Sequence, residues 1–99
     1  MTVTVPANNS VVLVAADNKR RLIAFQNFDT TNGVTLKPML NSDTVAPTAV
    51  DYYLRPAASA TDPGELVIQN SGGDTTLANA EWQGFGSDGS NVDINVNAY

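Results

Sequence analysis

The sequence predicts an all-β fold: a single-domain antiparallel β-sandwich of jelly-roll type, built from about eight short strands. Three observations predict it. Short runs rich in Val, Ile, Thr, Phe and Tyr recur along the 99 residues, separated by clusters of Asn, Asp, Gly, Pro and Ser. No segment sustains apolar residues at helical spacing. The run at 91–97 sets Val92, Ile94 and Val96 against Asn91, Asp93, Asn95 and Asn97, as a strand does when one face is buried and the other wet.

The elements follow in order. Residues 2–5 alternate Thr and Val until Pro6 and Asn8-Asn9 break the run. Residues 10–15 (SVVLVA) form the next strand, Asp17-Asn18 a turn, and residues 21–27 (RLIAFQN) a third strand. Asn32-Gly33 reads as a hairpin turn into 34–37 (VTLK), because both residue types tolerate positive φ. Residues 41–49 read as a loop and 50–54 (VDYYL) as a strand. A second loop, 55–64, ends in the turn signal Asp62-Pro63-Gly64 before a strand at 65–69. Strands at 80–85 and 91–97 flank the turn 86–90, and the two places for a short helix are 55–61 and Thr76 to Asn79. One domain spans 1–99, with 1–9 as a candidate N-terminal arm able to add a strand to a neighbour.

Two strands are apolar on both faces. In 10–15, Val11, Leu13 and Ala15 oppose Val12 and Val14; in 21–27, Ile23 and Phe25 oppose Leu22 and Ala24. A sandwich of this size has one core and needs one apolar face per strand. The second face therefore meets either another chain or the loops 41–49 and 55–64.

Composition narrows the function. Net charge is −5 and only 15% of residues are charged, so little clustered positive charge exists to bind nucleic acid. A surface of Asn, Thr, Ser and Gly has few charges to desolvate when it packs against a neighbour. The chain has no Cys and no His, which removes disulfides, the thiol nucleophile, the commonest general base and the usual zinc ligands. No apolar run approaches the length of a spanning helix and the first residues lack the features of a secretory signal, so no membrane association is expected.

Few residues are left to carry chemistry. Glu65 and Glu81 are the candidates for a glycosidase pair, but each alternates with apolar neighbours as a solvent-facing strand residue does. Asp88 to Asp93 superficially resembles a calcium loop without EF-hand spacing, and an Asp-Gly turn explains it. Trp82 with Tyr52 or Tyr53 reads either as a sugar-stacking platform or as a core Trp opposite Phe25 with tyrosines at its rim. Lys19-Arg20-Arg21 reads either as a contact for an acidic partner or as solvated charges guarding a sticky strand. The expectation is no enzyme, no cofactor and no metal.

The stretch AADNKRRLIAFQNFDTTNGVTLK, residues 15–37, resembles small β-sandwich structural proteins of tailed bacteriophages. It has a basic turn, a strand ending in Gln26-Asn27, a polar turn and a second strand. Residues 82–85 and 92–96 resemble the closing strands of such proteins, whereas 38–64 match nothing in them. The resemblance implies a virion component made in the host cytoplasm. Its leading form is a trimeric decoration or cement protein bound to the major capsid protein on the outer surface of the head. A tail fibre, spike or adaptor and a carbohydrate-binding module are the alternatives. The interface residues expected from the pattern are Val3, Val5, Val12, Val14, Arg20, Arg21, Leu22 and Ala24.

Overall fold

The computed structural model describes residues 1–39, 52–69 and 76–99. Eight strands and one helical turn occur in the order β1 (Thr2–Val5), β2 (Ser10–Val14), β3 (Leu22–Asn27), β4 (Val34–Met39), β5 (Tyr52–Leu54), β6 (Gly64–Gln69), α1 (Thr76–Asn79), β7 (Glu81–Phe85) and β8 (Val92–Ala98). The strands form two four-stranded sheets, β1-β8-β3-β6 and β2-β7-β4-β5. Every pairing within them is antiparallel.

The pairs β1·β8, β2·β7, β3·β6 and β4·β5 are those of one long hairpin folded about its middle. Wrapping that ribbon into two layers adds β3·β8 and β4·β7, which is the jelly roll. Only β4 and β5 are neighbours in both sequence and sheet. Asn32-Gly33 therefore does not turn a hairpin, as its composition suggests. The chain there crosses from the first sheet to the second, and neither residue has positive φ. Asn27 drives the crossing. Its buried Nδ2 donates to the carbonyls of Asn32 (2.9 Å) and Arg55 (3.2 Å), and its Oδ1 accepts from the Asp29 amide (2.9 Å).

The core lies between the sheets. Val5, Ile23, Phe25, Val92, Ile94 and Val96 face it from the first sheet, and Leu13, Leu36, Leu54 and Trp82 from the second. Trp82 is fully buried, with its ring 5.3 Å from that of Phe25, and its Nε1 donates to the Leu77 carbonyl at 2.9 Å. The expected alternation of β8 is what the structure shows, with Val92, Ile94 and Val96 buried and Asp93 exposed.

Three other expectations are corrected. The 1–9 arm is not free: β1 pairs with β8 of its own chain from Thr2↔Asn95 to Val5↔Val92, and Val5 is fully buried. The turn before β6 lies at Ser59 to Asp62, where the Ala58 amide donates to the Asp62 carbonyl at 2.9 Å, and Gly64 is already the first residue of the strand. The alternation expected of the doubly apolar β2, with Val12 and Val14 together on one face, is broken. A bulge between Val12 and Val14 inserts Leu13 into the register and turns Val14 back onto the core, leaving Val12 as the exposed residue, 47% accessible. The helical turn falls at 76–79, and 55–61 is not helical. The loop expected at 41–49 and residues 50 and 51 of the fifth strand lie outside the described residues.

Candidate interaction surface

The outer face of the first sheet spans four paired strands, β1, β8, β3 and β6. Alternation along the strands selects who stands on it: Thr2 and Thr4 from β1, Asp93, Asn95 and Asn97 from β8, Leu22, Ala24 and Gln26 from β3, and Glu65, Val67 and Gln69 from β6. Register then sorts these residues into rows.

One row is polar. Thr2 stands beside Asn95, Asn95 beside Gln26, and Gln26 beside Glu65. Asn95 Nδ2 donates to Gln26 Oε1 at 3.4 Å, and Gln26 Nε2 donates to Glu65 Oε2 at 2.9 Å. The adjoining rows are apolar at their centre. Asn97, Ala24 and Val67 are aligned, and Leu22 lies between Gln69 and Tyr99, whose amide donates to the Leu22 carbonyl at 3.0 Å. Val67 is 46% and Tyr99 74% exposed. Leu22, Ala24, Val67 and Tyr99 thus make an apolar cluster rimmed by Asn97 and Gln69, with Glu65 and Asp93 farther along the strands.

The eight residues expected at an interface separate in space. Leu22 and Ala24 are half-buried within this cluster, and Arg21 is exposed beside it. Val12 is exposed on the opposite face of the sandwich. Val3 and Val14 are half-buried against the core, and Val5 is inside it.

Arg20 is placed inside as well, at 4% exposure. Its Nε donates to the Ala78 carbonyl (2.7 Å), one terminal nitrogen to Ala15 (2.9 Å) and the other to Ala80 (2.6 Å). The guanidinium fork ties the end of β2 to α1 and the start of β7. Burial lowers its pKa, and the Asp17 carboxylate opposes that shift. The basic triplet is therefore two exposed cations and one internal clamp. No local signal announces the clamp, because Ala78 and Ala80 lie 58 and 60 residues away. An open cavity of about 330 Å³ beside it is lined by Val14, Ala15, Ala16, Asp17, Arg20, Ala98 and Tyr99.

The other candidates are dispersed. Glu65 and Glu81 stand on the outer faces of different sheets, hydrogen-bonded to Gln26 and Gln83 respectively, and are not brought together. Asp88 accepts from the Gly33 amide (2.7 Å) and the Tyr53 hydroxyl (2.8 Å), while Asp93 accepts from the Thr4 hydroxyl. Burial, then the bond to Asp88, raises the Tyr53 pKa. Trp82 has no exposed face for a sugar; Tyr52 lies over it at 5.6 Å and Tyr53 points to Asp88. No group of His, Cys, Asp or Glu able to hold a metal occurs among the described residues. No helix among them is long and apolar enough to cross a membrane.

Comparison of the chain with protein-family models, curated proteins and solved structures found no match.

Proposed function

We propose that this chain is a structural protein of a virion, a decoration or cement protein that binds the major capsid protein on the outside of a phage head. The observation that carries the reading is the outer face of the first sheet. It is regular, low in charge, and centred on Leu22, Ala24, Val67 and Tyr99, an apolar cluster that no described part of the chain covers. Two further points support it. Jelly rolls recur in capsid proteins, an analogy at the level of fold alone. The resemblance of residues 15–37 to phage structural proteins points the same way.

Such a protein stabilises a shell by linkage. A ligand that binds the assembled shell and not its separated subunits adds about 2.7 kcal/mol per site at a hundred times its dissociation constant. Repetition over the shell multiplies weak contacts. A face of Asn, Gln and Thr around an apolar centre suits this work, since little charge must be desolvated on docking.

The test is co-sedimentation of the chain with undecorated heads. Saturable binding at a fixed ratio to the capsid subunit, with a raised temperature of head disruption, is the expected result. Leu22→Asp and Val67→Asp should each weaken that binding by at least about tenfold, a loss of about 1.4 kcal/mol, and Val12→Asp on the opposite face should leave it unchanged. Binding to tails alone, or to neither heads nor tails, overturns the proposal.

A further inference from the structure

Among the described residues the sandwich has four edge strands: β1 and β6 in the first sheet, β2 and β5 in the second. An edge strand presents unpaired amides and carbonyls that another strand can use, and proteins blunt such edges with bulges, prolines, lysines or shortness. Three of the four are blunted. β2 carries the bulge at Leu13, the described part of β5 has three residues, and β1 has four residues and stops at Pro6. β6 is different. It runs for six residues in unbroken register with β3, from Gln69↔Leu22 to Gly64↔Asn27, without proline, lysine or bulge. Among the described residues only β3 pairs with it; its other neighbours are β5 in the facing sheet and α1, whose Leu77 packs on the core. Its centre is Leu66-Val67-Ile68, an apolar run with two β-branched strand formers, and the two that face inward remain only half-buried.

We infer that β6 pairs antiparallel with β6 of a second copy of this chain, about a two-fold axis at Val67. The strand's own sequence selects that register. Residues directly opposite in an antiparallel pair share a face, so the axis must fall at a residue. At Glu65 it sets two carboxylates against each other. At Leu66 it sets Glu65 against Val67 and gives Ile68 only Gly64 as partner. At Ile68 it sets Val67 against Gln69 and keeps only three residues of β6 in the pair. At Val67 it sets Glu65 against Gln69, Leu66 against Ile68, and Val67 against itself, polar with polar and apolar with apolar. The contact joins two first sheets into one of eight strands and covers the half-exposed inner side chains of Leu66 and Ile68.

This contact is made through the edge of β6 and needs no capsid partner, although Val67 also lies on the face proposed above for that partner, and it differs from the trimer that the phage resemblance implies. Native mass measured from about 1 μM to about 1 mM, the span in which weak association shows, should rise to twice the chain mass. Two register-specific variants follow. Gln69→Glu opposes like charges twice and should weaken the dimer by about 2- to 30-fold. Gln69→Lys opposes the new lysine to Glu65 twice and should strengthen it. The chain has no cysteine of its own. Val67→Cys should therefore give a disulfide-linked dimer on mild oxidation, since directly opposed residues have the separation a disulfide requires, and Val12→Cys on the far face should not. A mass that stays at one chain, a mass of three chains, or equal effects of the two Gln69 variants would overturn the inference.

Discussion

Arg20, Asn27 and Asp29 hold the places where the chain leaves its sheets. Arg20 donates to three carbonyls, and Arg20→Met takes that donor from the Ala78 and Ala80 carbonyls, where the bonds are buried. Breaking such a set costs about 3–5 kcal/mol, a large share of the roughly 5–15 kcal/mol that holds a domain together. Chemical denaturation should show this loss. Arg20→Lys should restore less than half of it, because an ammonium on a flexible stem cannot fork to three acceptors. Asp29 works at the opposite end of β3, where its carboxylate accepts the amides of Thr31 and Asn32 at 2.8 Å each. Those bonds, Asn32 first, hold its pKa below the usual carboxylate value of 3.8. The stabilisation is therefore present above the unfolded pKa and is lost as pH falls through the lower folded one. Urea titrations from about pH 5 down to about pH 2 should show wild type losing stability with a steeper slope than Asp29→Asn, which keeps an acceptor oxygen that does not titrate. Gly64 is a third fixed point. A Cβ there would lie 1.8 Å from the Arg55 carbonyl oxygen, the same oxygen that Asn27 binds. Gly64→Ala should cost about 2–3 kcal/mol by overpacking against backbone, read from the denaturation midpoint.

At the scale of the element, β2 shows how a strand with two apolar faces is accommodated. Strict alternation would put Val12 and Val14 together on the outside. The bulge at Leu13 breaks that parity, so the two valines have different fates. Val14→Thr should therefore destabilise by about 1–2 kcal/mol, since it buries a hydroxyl beside Trp82, its cross-strand partner. Val12→Thr should stay within about 0.5 kcal/mol of wild type. A pair of thermal melts distinguishes them, and equal losses would place both valines on one face. β3 reaches a different solution. Its register is unbroken on both sides, so Leu22 and Ala24 stay on the outer face, in the apolar cluster proposed above as a docking surface.

For the whole molecule, the rolled ribbon makes the first strand close the fold. β1 pairs with β8, so Thr2 meets Asn95 across nearly the full chain, and Val5 sits in the core. Removing residues 2–5 should leave an edge of β8 bare and the core open, and the variant should show no cooperative thermal transition. Val5→Ala alone should cost about 2–3 kcal/mol. Because most pairings join residues far apart in sequence, folding should take milliseconds to seconds rather than microseconds, which stopped-flow refolding measured by Trp82 fluorescence would show.

The sequence by itself determined the strand content, the break points at Pro6, Asn8-Asn9 and 86–90, and the inward set of β8. These depend on alternation and on turn residues that act within a few positions. Only the tertiary structure decided which strands are neighbours, that Asn32-Gly33 crosses between sheets, that Val14 and Arg20 turn inward, and that residues 2–5 are a closing strand. Each of these depends on partners far along the chain: Trp82 for Val14, Ala78 and Ala80 for Arg20, Asn95 for Thr2. The outer cluster was half legible, through Leu22 and Ala24. Val67 and Tyr99 joined it because register places β6 and the end of β8 on either side of β3, and register is a property of paired strands that no single strand's sequence contains.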